Sequence, residues 1–272
     1  MLRSLYSGVS GMKGFQTKMD VLANNIANVN TTAFKSSRVG FQDMLSQTIA
    51  SAQGPVTDGL GGVNPKQIGL GVKVGSIDMM MGNGALQSTS RELDFAIEGN
   101  GFFIIQSSGD GENLYSRDGV FFRDKEGILV NSNGQKVLDK DGKELKISDK
   151  DGDDQLQSFT IDGTGKITGV YGTDGKIEDL GVVGLATFTN PEGLEKRGNN
   201  NYAKTNNSGD VNAGNAGEPG FGVIRQGFLE MSNVDLANEF TEMVIASRAY
   251  SANSRSITTS DEMLQELINL KR

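Results

Sequence analysis

The sequence predicts an α+β chain, with a discontinuous α-helical, coiled-coil-like domain drawn from both termini and a central all-β domain. Three observations predict it. Apolar residues recur at helical spacing at both ends. The middle is paced by Asp-Gly and Asn-Gly pairs. Stretches rich in Gly, Asn and Pro separate the parts. The expected boundaries are 1–45 and 228–272 for the helical domain, 46–90 for a linker or extended segment, and 91–227 for the β domain.

In the first segment Leu2, Leu5, Val9, Met12, Phe15, Met19, Leu22, Ile26 and Val29 follow one another at steps of three and four. That is the stripe of an amphipathic helix close to heptad spacing, on the order of 40 Å long. Gly8, Gly11 and Gly14 lie inside it, each costing about 1 kcal/mol relative to Ala. They weaken an isolated helix and permit close approach of a second one. The expectation is a helix that forms only when packed. At the other end Leu236, Phe240, Met243, Tyr250, Ile257, Leu264, Leu267 and Leu270 repeat the pattern. Ser232 with Asp235 reads as a capping-box start, and Thr258, Thr259, Ser260 and Asp261 mark a kink or restart. Charges complement: residues 1–38 carry Arg3, Lys13, Lys18, Lys35 and Arg38 against Asp20, whereas residues 230–272 carry seven acids against four bases. The spacing fits pairing of the two ends within one chain and packing between chains equally well.

The middle reads as β. Leu93 to Ile97 alternates, Gly99-Asn100-Gly101 turns, and Phe102 to Ile105 is an apolar run. Turn pairs follow at Asp118-Gly119, Glu126-Gly127, Asn133-Gly134, Asp141-Gly142, Asp151-Gly152, Asp162-Gly163 and Asp174-Gly175, the rhythm of hairpins in a sandwich or barrel. Residues 50–65 and 198–220 read as linkers.

Composition excludes several chemistries. The chain of 272 residues has no His and no Cys, so neither a Ser-His or Cys-His nucleophile nor an imidazole or thiolate metal site can form. A net charge of −8 disfavours nucleic acid and anionic membrane surfaces. No apolar run approaches the roughly 18 residues of a membrane span. The N-terminal segment does not read as a cleavable signal, because Ser7, Gly8, Ser10 and Lys13 interrupt any apolar stretch. Asp149 to Asp154 is acid-rich, but the glycine and glutamate an EF-hand needs at its sixth and twelfth positions are Asp154 and Thr160 here. It reads as a solvated turn. Gly69-Leu70-Gly71 and Gly99-Asn100-Gly101 lack the Lys-Ser/Thr continuation of a phosphate loop. No catalytic residue, cofactor or metal is expected. A calcium- or glycan-binding β module and a carboxylate hydrolase are the competing classes.

Asn24, Asn25, Asn28 and Asn30 cluster where the first stripe ends. Asn28 or Asn30 can cap the helix, and amides facing another chain can fix register. The residues alone leave both open.

The run Asn24 to Lys35 resembles the signature of flagellar axial proteins, the rod and hook families, with Ala33 where those proteins usually have Gly. Leu93 to Phe103, Tyr115 to Gly119, Gly127 to Asn131 and Ala186 to Leu194 are similar to that family's β domain. Ser232 to Phe240, Arg248 to Asn253 and Asp261 to Leu270 are similar to its C-terminal helix. The opening Met1 to Met12, with Phe41 to Leu45 and Gln67 to Gly71, looks most like the short hook proteins of Gram-positive bacteria. The distal rod protein is the alternative. The resemblance implies a homopolymeric tube with terminal helices inside and the β domain outside. It implies delivery through the flagellar type III export apparatus without a cleaved signal, and neighbours among the distal rod, hook–filament junction and hook cap proteins. It places the assembly interface at Leu5, Met12, Met19, Leu22, Asn24, Asn25, Ile26, Asn28, Val29, Asn30 and Phe34, and at Leu236, Phe240, Met243, Tyr250, Asn253, Ile257, Leu264 and Leu267.

Overall fold

The computed structural model describes residues 2–55, 61–107, 113–147, 156–172 and 176–270. The acid-rich run 149–154 and the Asp151-Gly152 and Asp174-Gly175 pairs lie outside them. The chain divides into two compact units. Both terminal helices and a central β-rich region are present, which makes the fold α+β.

The helical unit comprises residues 1–27, 37–79 and 235–272. Helix α1 spans Leu2–Ala27 and α2 spans Leu236–Leu270. Four strands accompany them: β1 (Ser37–Asp43), β2 (Ser46–Ala50), β3 (Lys66–Gly69) and β4 (Val72–Met79). Within residues 46–90, expected as a linker or extended segment, Ser46–Ala50 pairs with Lys66–Gly69 and Val72–Met79 pairs with β1. β1 and β4 are antiparallel with a bulge at Gly40/Phe41. The bulge belongs to the stretch of β1 that meets α1, where the Phe15 and Phe41 rings lie 5.4 Å apart. β2 and β3 make a hairpin whose residues are all exposed, Leu45 (77%) and Ile49 (62%) among the apolar ones nearby. The weakened first helix is fully formed here because α2 and β1 cover its glycine side.

Helix α2 begins differently from expectation. Asp235, not Ser232, is the cap: its Oδ1 accepts the Ala237 N–H at 3.0 Å, and its carbonyl accepts the first helical N–H, from Glu239. The Ser232 hydroxyl instead accepts the Val234 N–H. The helix also does not restart at Thr258 to Asp261, where a kink or restart was expected: α2 runs unbroken through these residues. Thr259 and Ser260 hydroxyls donate back to the carbonyls of Arg255 and Ser256, satisfying themselves on the helix without breaking it.

The β unit comprises residues 28–36 and 80–234. Its strands are β5 (Leu86–Ser88), β6 (Phe95–Glu98), β7 (Phe102–Gln106), β8 (Asn113–Ser116), β9 (Phe121–Arg123), β10 (Leu129–Asn131), β11 (Leu156–Ile161), β12 (Lys166–Tyr171), β13 (Lys176–Val182), β14 (Gly184–Phe188), β15 (Glu195–Gly198), β16 (Asn201–Ala203), β17 (Val211–Asn215), β18 (Val223–Gln226) and β19 (Phe228–Glu230). The largest sheet has six strands in the order β15-β16-β8-β7-β14-β17, and β11-β12-β13 form a three-stranded sheet. Residues 198–220, expected as linker, supply β16 and β17. Glycines at 127, 134 and 142 have positive φ, so these turn pairs close hairpin-like reversals as their sequence suggests. The core gathers Phe95, Ile97, Phe103, Phe121, Leu129 and Leu185, all essentially inaccessible.

Candidate assembly interface

Helices α1 and α2 pair antiparallel within the chain. Ser4 meets Ser260 at 3.5 Å, and Lys18 Nζ donates to Glu242 Oε2 at 2.6 Å. Gly8 and Gly11 are buried in the seam. A Cβ on Gly8 would lie 3.1 Å from Ile257 Cγ1, and one on Gly11 would lie 2.8 Å from Asn253 Nδ2. The glycines that weaken α1 are what let α2 lie against it. Half-buried along the pair are Leu5, Met12, Met19, Ile26, Met243, Asn253, Ile257 and Leu264.

Apolar side chains of α2 outside the closest part of the seam are open to solvent. Leu236 (38% exposed), Phe240 (51%), Tyr250 (36%) and Leu267 (51%) all present surface to solvent. So do Val244, Ile245, Met263 and Ile268, which the sequence stripe omitted, and on α1 Tyr6 and Val9. The omission has a cause: a 3/4 stripe follows one line along a helix, and α2 carries apolar residues to either side of that line as well.

Three residues expected at the interface are instead occupied inside the chain. Leu22 is buried in the helical unit. Asn25 is 1% exposed; its Nδ2 donates to Ser37 O at 2.9 Å and reaches the Glu239 carboxylate at 3.3 Å, while its Oδ1 accepts the Ser37 N–H at 3.0 Å. It is neither a cap nor a free interface amide. The side chain pairs with the β1 backbone as a neighbouring strand would. Phe34 is buried in the β unit beneath Lys196, whose Nζ lies 4.7 Å from the ring centre. Asn28 stays in its turn, where its Oδ1 accepts from the Thr31 hydroxyl. Val29 is half-buried, and Asn24 and Asn30 are exposed.

A second feature, in the β unit, escaped the sequence reading. Lys35, Arg117 and Glu230 form a buried charge cluster. Lys35 Nζ donates to Glu230 Oε1 at 2.6 Å and to Gly82 O at 2.9 Å. Arg117 Nη1 lies 3.3 Å from Glu230 Oε2 and donates to Asn83 Oδ1 at 2.8 Å, and Nη2 donates to Gly99 O. The guanidinium sits over the Phe102 ring at 5.3 Å. Burial lowers the Lys35 pKa; the Glu230 carboxylate opposes that shift and Arg117 adds to it. Burial also raises Asp118, which accepts from the Thr32 hydroxyl, and pushes Tyr202 up to about 12. Isolated charges in a sequence carry no mark of burial, and a Lys at 35 and a Glu at 230 cannot be paired without the fold.

Comparison with known proteins identifies the setting. Residues 5–35 match the family model for flagella basal body rod proteins. Residues 96–169 match that for the flagellar hook protein FlgE/F/G D1 domain. Residues 225–270 match that for the flagellar basal body rod FlgEFG protein C-terminal region. The chain is 53% identical to the flagellar basal-body rod protein FlgG of Bacillus subtilis over 275 aligned positions, with the whole of both chains covered. It is 40% identical to the FlgG of Borreliella burgdorferi, again over the whole of both. It is 32% identical to the flagellar hook protein FlgE of the same organism over 446 aligned positions spanning all of each. The chain belongs to the flagellar rod and hook protein family.

It is accordingly a structural component of the flagellar axis, and among its described residues no helix is long and apolar enough to cross a membrane. The family segments map onto the geometry above. The rod-protein segment is α1 and its continuation to Lys35, the C-terminal segment runs from before Glu230 through α2, and Arg117 lies in the D1 segment. The buried cluster thus takes one residue from each of the three segments by which rod and hook proteins are recognised.

Proposed function

We propose that this chain is a subunit of the flagellar rod, at its distal part, which self-assembles into a helical tube and transmits motor torque through its terminal helices. The observation that supports polymerisation is the apolar surface that α2 leaves exposed, Leu236, Phe240, Val244 and Ile245 in its first half and Met263, Leu267 and Ile268 toward its end. Apolar surface of this extent on a helix already paired with α1 calls for more neighbours, and identical subunits supply them. The β2–β3 hairpin, too small and too exposed to be stable by itself, adds a second surface of the same type. Burial of both in a polymer stabilises the helical unit by mass action.

Rod is preferred to the short hook protein suggested by the opening residues. Identity to rod proteins reaches 53% without length mismatch, whereas the alignment to the hook protein runs to 446 positions at 32%. On this reading the neighbours are other axial proteins and the delivery route is the flagellar type III export apparatus. Salt-induced polymers of the purified chain, imaged by electron microscopy, test both levels. Straight tubes are expected. Curved tubes return the assignment to the hook, and the absence of any tube under conditions that polymerise relatives overturns the reading. Removing residues 1–30 is expected to leave the β unit folded and to abolish tubes.

A further inference from the structure

The chain passes into or out of the β unit after residues 27, 36, 79 and 234. Just inside these points three segments, 33–36, 80–85 and 230–233, are bound to one another. The Met80 N–H donates to Ser36 O, Met231 N–H to Ala85 O and Asn233 N–H to Phe34 O. Asn233 also accepts the Ser36 N–H on Oδ1 at 2.8 Å and donates to Met80 O from Nδ2 at 2.7 Å. Glu230 reaches all three. Its carbonyl accepts the Ala33 N–H at 2.8 Å, its Oε1 accepts Lys35 Nζ and the Gly84 N–H at 2.8 Å, and its carboxylate faces Arg117. The backbones are so close at Gly84 that a Cβ there would fall 1.9 Å from Met231 O.

We infer that Glu230 is the positioning residue that fixes this junction, and that the junction is a rigid, load-bearing root of the β unit and not a bundle of flexible linkers. The load-bearing half rests on the axial-polymer reading. Stability alone is a poor account of the cluster, because buried ion pairs contribute little beyond what packed apolar residues of the same volume supply. What a carboxylate adds is direction: its lone pairs are set at defined angles and accept from donors on separate segments. A carboxylate on the 230–233 segment that accepts at once from a backbone N–H of the 80–85 segment and a side chain of the 33–36 segment holds three chain passages in one register. Lys35, Arg117 and Glu230 come from the three segments by which the family is matched, so the register links the parts that define it.

Amide hydrogen exchange on the full-length protein tests the positioning role. In Glu230→Gln the amides of Ala33, Met80, Gly84 and Asn233 are expected to exchange at least about a hundredfold faster than in wild type, with Ile104 and Leu185 in the sheet unchanged. Where that variant fails to fold, the apolar triple variant Lys35→Met, Arg117→Met, Glu230→Leu replaces it. It is expected to keep the sheet protected, to lose protection at Gly84, and to form tubes measurably more flexible than wild type in micrographs. Unchanged exchange at the junction in a folded variant overturns the positioning role. A loosened junction with tubes as stiff as wild type overturns the load-bearing role. A wild type that makes no tubes sinks the rod reading and the load-bearing role together, and exchange alone then decides the positioning.

Discussion

In the β unit Phe95, Phe103, Phe121, Leu129, Ile147 and Leu185 are sealed from solvent, whereas among the described residues of the helical unit the buried apolar side chains are Leu22 and Ala246. The β unit closes its own core and even buries three charges at its root. The helical unit brings two helices together over glycines and leaves much of its apolar surface outside. One region is complete as a monomer, and on the proposed reading the other is half of an interface. Substitutions should therefore act on stability in the first and on assembly in the second.

The largest effect is expected at Gly119. A Cβ there would stand 1.6 Å from Phe95 O, and the Phe95 N–H donates to Gly119 O, so backbone and not a flexible side chain must move. Gly119→Ala is expected to destabilise the β unit by more than about 3 kcal/mol in urea titrations followed by tyrosine fluorescence. A change below about 1 kcal/mol would show that this core is looser than its burial indicates.

Alkaline pH separates two buried groups of opposite sign. Tyr202 has its pKa raised to about 12 by burial. From about pH 10 upward the unfolded chain loses the tyrosine proton first, so stability falls, by about 3 kcal/mol once both values are passed. Lys35 has its pKa lowered from 10.5 by burial. Between its native value and 10.5 the unfolded chain holds the extra proton, so stability rises with pH over that window. The Glu230–Arg117 pair is left neutral as Lys35 discharges. Denaturation from pH 7 to 12 should show a rise that turns over near pH 10. Lys35→Met should remove the rise and Tyr202→Phe the fall. A profile unchanged by either would mean that neither group is as secluded as the packing places it.

Phe240 sharpens the contrast from the other side. Half of it is exposed and it belongs to the apolar surface that α2 leaves open, so Phe240→Ser is expected to alter monomer stability by less than about 0.5 kcal/mol. In the polymer the same ring would be covered, and its loss is worth about 2 kcal/mol per subunit. The critical concentration for tube formation should rise by more than about tenfold. A large loss of monomer stability with unchanged assembly would reverse the assignment of surfaces.

Much of this contrast was legible in the sequence, for physical reasons. A 3/4 stripe reports a helix whether or not its partner is known, and Asn-Gly or Asp-Gly reports a turn because few other pairs tolerate its backbone. Hence α1, α2 and the hairpins at Gly127, Gly134 and Gly142 were foreseeable. The strands within 46–79 and 201–215 were not, because Gly- and Asn-rich stretches read as loops until a neighbouring strand holds them. Asn25 and Phe34 were placed at an interface because motif membership marks a residue as important without saying what it touches. The Lys35–Arg117–Glu230 cluster depends on sequence separations of up to 195 residues, a range at which local pattern is silent.

The smallest effect is at Ala33, where rod and hook proteins usually carry Gly. Its φ is +55°, a left-handed backbone that costs an L-residue about 1–2 kcal/mol. That explains the family preference and makes Ala33→Gly look stabilising. Two terms oppose it. Glycine gives the unfolded chain more freedom, about 0.4–1 kcal/mol, and the alanine methyl, 1% exposed, loses about 0.8 kcal/mol of burial. The sum lies within about 1 kcal/mol of zero, so alanine is tolerated at a glycine position because its methyl is packed where its backbone is strained. Urea midpoints of the variant and wild type decide it. A gain above about 1.5 kcal/mol would mean that the methyl contributes nothing to the junction beside Glu230.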